Sequence, residues 1–383
     1  MVATCQAWES TAFLPALLAG AGLTVEALSP GLMGRSSFVS QHMHCSRRPL
    51  EAARQLTRLL ARRRYDWVIV ADEDLLTAVA DTMKPDEHRS WFPARGECSA
   101  VLSKYSFLEH MLELGVSVPA SRFFQTAGEA VEWMLELQAP LVVKGDRGFG
   151  GRAVRVADDV AALRAAVFAL TSASGRVLVQ QFIAGDNVSA SVLYVHGKPL
   201  AWKASRTSCC YPDARSASTL HESIAHPDLE VIVGAVGAAT GFHGFAGLDF
   251  IVDSQSRELV LLEFNPRPTL GLAGARINRR FFEPAVRAFV RGAPDTEVGV
   301  YAGAATQAYF PSYLFYALRH PRVSRLSHLR LCLSELRLRE WRLWSWLVAR
   351  TTKNELGRAV ARLRRDLGWH SVRPAAANRR SNA

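Results

Sequence analysis

The spacing of apolar positions changes twice along the chain, near residue 100 and near residue 300, and each stretch predicts different elements. Residues 1–98 alternate between helical spacing and short unbroken apolar runs. Residues 54–64 have the period of a basic amphipathic helix. Tyr65-Asp66-Trp67 then leads into the apolar run Val68-Ile69-Val70, which ends in Asp72-Glu73-Asp74. A short buried strand running into acids predicts a small parallel α/β domain with a site at the strand's C-terminal end. The first 40 residues show no clear opening strand, and the apolar stretch 13–28 is broken by Pro15, Gly20 and Gly22. With no basic residue ahead of it, that stretch reads as neither a secretion signal nor a membrane span.

From Ser103 the pattern shifts. A helix is predicted over 104–114, stopped by Gly115, and an extended segment runs over 116–119. A helix over 127–138, a strand over 140–144, a glycine-rich turn and a strand over 153–156 follow, and Asp158 caps the next helix. Strands recur at 177–182, 188–196, 199–203, 245–252 and 259–265, an α+β pattern with much antiparallel pairing. Beyond about 300 the chain reads as helical, basic and rich in tryptophan.

Charge sharpens that last division. The 383 residues carry a net charge of +11, but 16 basic and only 4 acidic residues lie from Leu318 onward, leaving 30 basic and 31 acidic before it. The body is neutral and a C-terminal module carries the charge, so the basic balance does not make the protein a nucleic-acid binder. Residues 329–350 interleave leucine with arginine and include Trp341, Trp344 and Trp346, with Trp369 further on. This reads as one basic amphipathic helix. Either its Leu/Trp face packs on the body, or it meets an anionic membrane surface or an acidic protein. The six cysteines (Cys5, Cys45, Cys98, Cys209, Cys210, Cys332) lack C-x-x-C spacing and fit reduced thiols of a cytoplasmic protein. His42-x-His44-Cys45 has metal-ligand residue types but no second pair elsewhere.

Two constellations carry chemistry. Gly148-Phe149-Gly150-Gly151-Arg152-Ala153 formally fits G-x-G-x-x-A, but a strand follows where that fingerprint needs a helix, and no G-x-x-x-x-G-K-[ST] occurs. What remains is a strand ending in Lys144, a glycine turn and a strand. That unit is either an ordinary hairpin or a phosphate cradle whose backbone N–H groups approach oxygen without a Cβ in the way. The second is the hairpin 245–265. Glu263, Asn265 and Arg267 stand at i, i+2 and i+4 and share a face if the strand persists, with Leu262 and Phe264 turned into the core. Asp249 can reach the same face from the outgoing strand. Two carboxylates and an amide oxygen suit Mg²⁺ carrying phosphate, and an arginine suits a transferring phosphoryl group. Lys203 and Arg206, placed by this reading at a strand end before a loop over 207–219, are either grips for phosphate or acyl phosphate, or surface charges.

Taken in order over about residues 65–290, these motifs resemble the ATP-grasp superfamily, and within it the carbamoyl-phosphate-synthase-like branch of carboxylate–amine ligases. Ser103-Lys104-Tyr105 with Leu114-Gly115-Val116-Ser117-Val118-Pro119 is similar to the family's opening segment, whose lysine contacts nucleotide phosphate. Lys144 with Gly148, Gly150 and Gly151 resembles the second phosphate lysine and the flexible flap. Val179-Gln180-Gln181-Phe182-Ile183-Ala184-Gly185 resembles the hinge that reads adenine. Asp249 with Glu263-x-Asn265-x-Arg267 resembles the metal-binding acids, the metal-binding amide and the catalytic arginine. The chain departs at Gln180-Gln181, where a glutamate is common, and at Asn187, where an acid often holds the ribose. Both keep hydrogen-bonding capacity and lose charge.

The resemblance implies an α/β chain, α+β in its catalytic part. It would comprise a pre-ATP-grasp α/β domain (1–98), an ATP-grasp domain (99–300, hinge near 180–185) and a basic helical extension (301–383). It implies ATP and two Mg²⁺, for which Mn²⁺ can substitute, bound through Lys104, Lys144, the loop glycines, Gln180, Gln181, Phe182, Ile183 and Asn187, with the metal on Asp249, Glu263 and Asn265. Arg267, Lys203 and Arg206 would act on the reacting groups. The expected reaction activates a carboxylate as an acyl phosphate for attack by an amine. The rivals are a small-molecule phosphotransferase and a non-catalytic ATP-binding module recruited by the tail. Expected partners are a carboxylate and an amine, no nucleic acid, and a second copy in a homodimer. The expected location is the cytoplasm, with membrane contact only through the tail at the inner face.

Overall fold

The computed structural model describes residues 1–82, 103–145, 154–174, 177–213, 216, 218–292, 299–301, 303 and 305–366. Its N-terminal sheet is built from β1 (Val2–Ala3), β2 (Val25–Ser29), β3 (Val39–His44) and β4 (Ile69–Val70), all parallel, in the order β3-β2-β1-β4. The opening strand that the sequence hid is only two residues long, too short for a periodic signal. Alternate residues serve two cores, as the strand period of two requires. Met1, Ala3, Val68 and Val70 join Leu56 and Leu75 from helices α2 (Pro49–Leu60) and α3 (Glu73–Thr82). Val2, Trp67 and Ile69 face the other way, against Leu193, Phe245 and Phe282 of the catalytic part. The basic helix expected over 54–64 starts at Pro49, which occupies its first turn, and ends at Leu60. α1 (Leu14–Gly20) covers the second core.

The middle of the chain forms two antiparallel layers. After α4 (Lys104–Glu113), a four-stranded sheet orders β5 (Ser121–Phe124), β8 (Val177–Gln181), β6 (Leu141–Lys144) and β7 (Val154–Ala157). It is covered by α5 (Ala127–Leu137) and α6 (Val160–Ser174). The larger sheet runs β13 (Leu259–Asn265), β12 (Gly244–Asp253), β9 (Gly185–Val195), β10 (Lys198–Cys210), β11 (Ser218–Ser223), β15 (Thr306–Ala308), with β14 (Gly299–Val300) pairing parallel on β10. Phe107, Leu108 and Met111 of α4 meet Ile232, Val233 and Val236 of α7 (Asp228–Thr240) beneath it. The loop anticipated over 207–219 is shorter. β10 continues to Cys210 and returns as β11, so Lys203 and Arg206 are mid-strand: Lys203 stands opposite Ser191 of β9, and Arg206 stands between Val188 of β9 and Glu222 of β11.

Further helices among the described residues are α8 (Glu283–Val290), α9 (Ser312–Arg319), α10 (Leu326–Ser334) and α11 (Trp341–Asp366). The single helix expected over 329–350 is broken between Ser334 and Trp341. There the Glu340 carboxylate leaves the tail to accept the Ser37 N–H and hydroxyl, each at 2.6 Å. The Leu/Trp face that follows packs on the body: Leu343 and Leu347 are buried with Ala7, Ala12 and Leu32, and Arg350 donates to the Ala7 carbonyl. Past Thr351 the helix emerges, with Leu356, Val360 and Leu363 exposed at i, i+4 and i+7. Among the described residues no helix is long and apolar enough to cross a membrane. Gly148, Gly150, Gly151, Cys98 and Trp369 lie outside the described residues.

Candidate functional site

On the hairpin β12–β13, Asp249 stands directly opposite Glu263, Gly247 opposite Asn265, and Ser189 of β9 opposite Asp249. Cross-strand partners share a face, so both carboxylates and the Asn265 amide project to one side. A bulge follows immediately: Phe250 pairs with Leu261, so Leu262 has no partner. This corrects the strict alternation read from the sequence. Leu261 and Phe264 enter the core while Leu262 is only half-buried, because the extra residue reverses the strand's phase. At Gly247 a Cβ would come within 2.3 Å of the Thr269 side chain, so glycine there lets the chain beyond Arg267 fold back over the strand.

The polar side chains form one bonded network. Ser189 Oγ and Asn265 Nδ2 each donate to Asp249 at 2.8 Å, and Arg267 Nη2 donates to Asn265 Oδ1 at 3.0 Å. Lys104, at the start of α4, pairs with Glu263. Arg267 Nε donates to Glu73 at 3.0 Å, and its guanidinium lies 4.9 Å from the Trp8 ring centroid. Burial alone would push the Glu263 carboxyl up, yet the Lys104 and Lys144 ammonium groups outweigh it and hold it below the usual range. Lys104 is itself raised: Glu263 and Glu73 overcome the cost of burial. Asp249 is raised, first by burial and then by the Glu263 charge, because its partners are hydroxyl and amide rather than a nearby ammonium. A buried carboxylate with only neutral direct partners, facing a second one across the ladder, is a donor set that a hard divalent cation satisfies.

The acids after β4 have separate tasks. Asp72 accepts the N–H of Cys5 and of Leu75, both at 2.8 Å, and so caps α3. Asp74 accepts from Gln6. Cys5, Asp72 and Asp74 could in principle gather around a metal, but burial and Asp72 push the Cys5 thiol well up, and Asp72 is spent on backbone donors. Only Glu73 reaches the network. Glu73 belongs to the acid run whose place after a buried strand marks a site in the sequence, whereas Trp8 and Ser189 carry no such signal.

The other residues named from the sequence lie around this centre. Lys144 ends β6, buried. Gln180 is buried and donates to Ser121 Oγ, the Phe182 N–H bonds the Pro140 carbonyl, Gln181 and Ile183 are half-buried, and Asn187 is exposed where β9 begins. Lys203 is 2 % exposed and donates to Gln307, whose amide in turn bonds the Ala273 carbonyl. Arg206 is exposed and paired with Glu222 at 2.9 Å and Asp186 at 3.5 Å. Lys203 is thus engaged with Gln307, and Arg206 with Glu222 and Asp186, rather than with the Asp249–Glu263 pair. His42 contacts Ser29, and the Cys45 thiol donates to the Thr4 carbonyl.

Residues 101–271 match the family model of the ATP-grasp domain. The carbamoyl phosphate synthase large chain of Rubrobacter xylanophilus is 26 % identical over 176 residues, which is 42 % of this chain and 16 % of that protein; the match spans about a sixth of the relative's length. In structure the chain is similar to the biotin carboxylase domain of Hydrogenobacter thermophilus 2-oxoglutarate carboxylase, solved as a dimer with MgADP, ADP and bicarbonate. The TM-score is 0.64 at 14 % identity, covering 80 % of this chain and 74 % of that one. It is also similar to an L-amino acid ligase from Bacillus licheniformis, with a TM-score of 0.53 at 17 % identity over 76 % and 73 % of the two chains. These likenesses establish the fold.

Proposed function

Starting from the ATP-grasp domain that residues 101–271 form, we propose that the chain is an ATP-dependent ligase that activates a carboxylate and joins it to an amine. The observation that carries this reading is the in-register Asp249–Glu263 pair, bonded in one network to Asn265, Arg267 and Lys104. ATP is the first substrate. Lys104 and Lys144, with the backbone at Gly148, Gly150 and Gly151, would hold its phosphates, and residues 180–183 with Asn187 would hold its nucleoside. Asp249, Glu263 and Asn265 would bind Mg²⁺, which would neutralise phosphate charge during transfer.

A substrate carboxylate oxygen attacks the γ-phosphorus, the bond to the β-phosphate oxygen breaks, and ADP leaves. The amine nitrogen then attacks the carbonyl carbon. The C–O bond to phosphate breaks, and an amide, phosphate and a proton are released. Arg267 faces the charge that develops in both steps, and Glu73 with Trp8 fixes where its guanidinium stands. This reading divides the chain into 1–98, 99–300 and 301–383, with catalysis in the middle part and a second copy as its expected partner. It extends the role of the exposed end of α11 to contact with an anionic membrane surface, testable by salt-sensitive vesicle co-sedimentation.

The test is ADP release over a matrix of carboxylic acids and amines, with product masses read directly. Release that requires both partners, with a condensed product, supports the ligase. A stable phosphorylated acid formed without any amine makes it a phosphotransferase, and ATP binding without release in any well makes it a binding module.

A further inference from the structure

Beneath α11 lies a cavity of about 70 Å³, several times the roughly 10–15 Å³ that one water molecule needs. Three parts of the chain close it. α1 supplies Ala16 and Leu17, the segment after Arg267 supplies Asn278, and the tail supplies Glu340, Leu343 and Trp344. The lining is mostly apolar, and two of its polar residues, Asn278 and Glu340, 3 % and 1 % exposed, each hold a buried side-chain oxygen without a hydrogen-bond partner, Oδ1 and Oε2. Both are hydrogen-bond acceptors. Glu340 is fixed in place because its other oxygen takes the two Ser37 donors. Glu9 and Glu335 add two carboxylates to the lining and Arg337, 5.5 Å from the Phe38 ring centroid, adds a guanidinium, while Arg350 acts on Glu9 from outside it.

A largely apolar pocket whose lining holds two acceptors without partners and more carboxylates than guanidinium groups is matched by a donor cation on an apolar body. An anion would meet carboxylates, and a neutral hydrocarbon would leave both acceptors bare. Short stretches of chain link the cavity to the candidate site: Glu9 lines it while its neighbour Trp8 lies against Arg267, and Leu270, three residues past Arg267, lines it as well.

We propose that this cavity binds a compact primary ammonium on a short apolar body, Glu340 and Asn278 taking its N–H donors. Its role as the pocket of the attacking amine rests on the ligase reading above; its binding of an ammonium does not. The tail that closes it thereby belongs to the substrate pocket as well as to the fold.

The test is calorimetric titration of the full chain, without nucleotide, using n-butylammonium, n-butanol and butyrate. n-Butylammonium is expected to bind at least 10-fold more tightly than n-butanol, and butyrate not at all. Glu340→Gln keeps a carbonyl for the Ser37 donors and turns an amide NH₂ into the cavity, so ammonium affinity should fall 10-fold or more while MgADP affinity is unchanged. Ala16→Leu fills the cavity from the opposite wall and should weaken the ammonium and the alcohol alike. Equal affinity for n-butanol and n-butylammonium, no binding of either, or wild-type affinity in both variants overturns the proposal. The ligase reading is scored separately. Amine-dependent ADP release with an unaltered amine KM in Glu340→Gln leaves the ligase standing and overturns the cavity's role as the pocket of the attacking amine. Selective ammonium binding with no ADP release for any amine does the reverse.

Discussion

Two lysines set into the molecule, Lys104 with its side chain 10 % exposed and Lys203 2 % exposed, show how differently it treats one side chain. Lys104 enters a cluster of carboxylates, and Glu263 and Glu73 raise its pKa against the effect of burial. Lys203 sits in the larger sheet beside an amide, Gln307. Burial lowers its pKa to about 7 against only a weak pull from Glu335, and it in turn helps depress the neighbouring His221 to about 3, again mainly through burial. Depth is therefore not what separates them; the counter-charge is. A lysine with a carboxylate partner is a fixed cation fit to hold phosphate. One without is a neutral amine at mildly alkaline pH, joined by hydrogen bonds to the loop that follows Arg267.

The comparison breaks most visibly at the carboxylates. Glu263→Gln or Asn265→Ala should lower ADP formation on the order of 10²-fold or more, since each removes a metal-holding oxygen and Glu263→Gln also removes the charge opposite Lys104. A circular dichroism spectrum like that of the parent chain would confirm that the fold survives. Turnover within a factor of two of the parent would mean that the cluster is only structural. Lys144→Ala should raise the KM for ATP and lower kcat together, by roughly 10-fold each, because a charge beside the phosphates acts in binding and in transfer. Unchanged ATP kinetics would detach the β6 lysine from the phosphates.

Glu73→Gln tests position rather than charge at the reacting atoms. Keeping an acceptor for Arg267 while removing the carboxylate should lower kcat by roughly 10-fold with little effect on ATP binding. A loss confined to ATP affinity would contradict that role. The smallest effect concerns Lys203. Its folded pKa of about 7 lies below the ~10.4 of an unfolded lysine, so between those values the unfolded chain binds the extra proton. Stability should therefore fall as pH drops from about 10 toward 7 and level off below. Relative to Lys203→Met, the parent chain should lose on the order of 5 °C in melting temperature across that window. Parallel melting curves would show that Lys203 stays charged in the folded protein.

The tail obeys the same logic of partners. Its first turns are held because Glu340 meets Ser37 donors and Leu343 and Leu347 meet apolar walls. The same helix farther on leaves Leu356, Val360 and Leu363 uncovered, and Glu355 ties it to the body through Tyr211 and Arg319.

Local chemistry was legible in the sequence wherever it repeated at the period of an element. The i, i+2 spacing of Glu263 and Asn265, the lysine ending a strand before glycines, and the apolar run Val68-Ile69-Val70 all express backbone geometry, which each residue carries with it; the strand stops at Asn265, so Arg267 reaches the network from the turn that follows rather than by strand period. The β1 strand was too short to have a period, and the bulge at Leu262 breaks one, so alternation alone misplaced a core residue. What only the tertiary structure decided were the meetings across long separations. Glu73 with Arg267, Trp8 over the same guanidinium, Lys203 with Gln307 and Glu340 with Ser37 leave no trace in local spacing. Their energies come from burial and from the exclusion of water, and those exist only once the three parts of the chain have closed on one another.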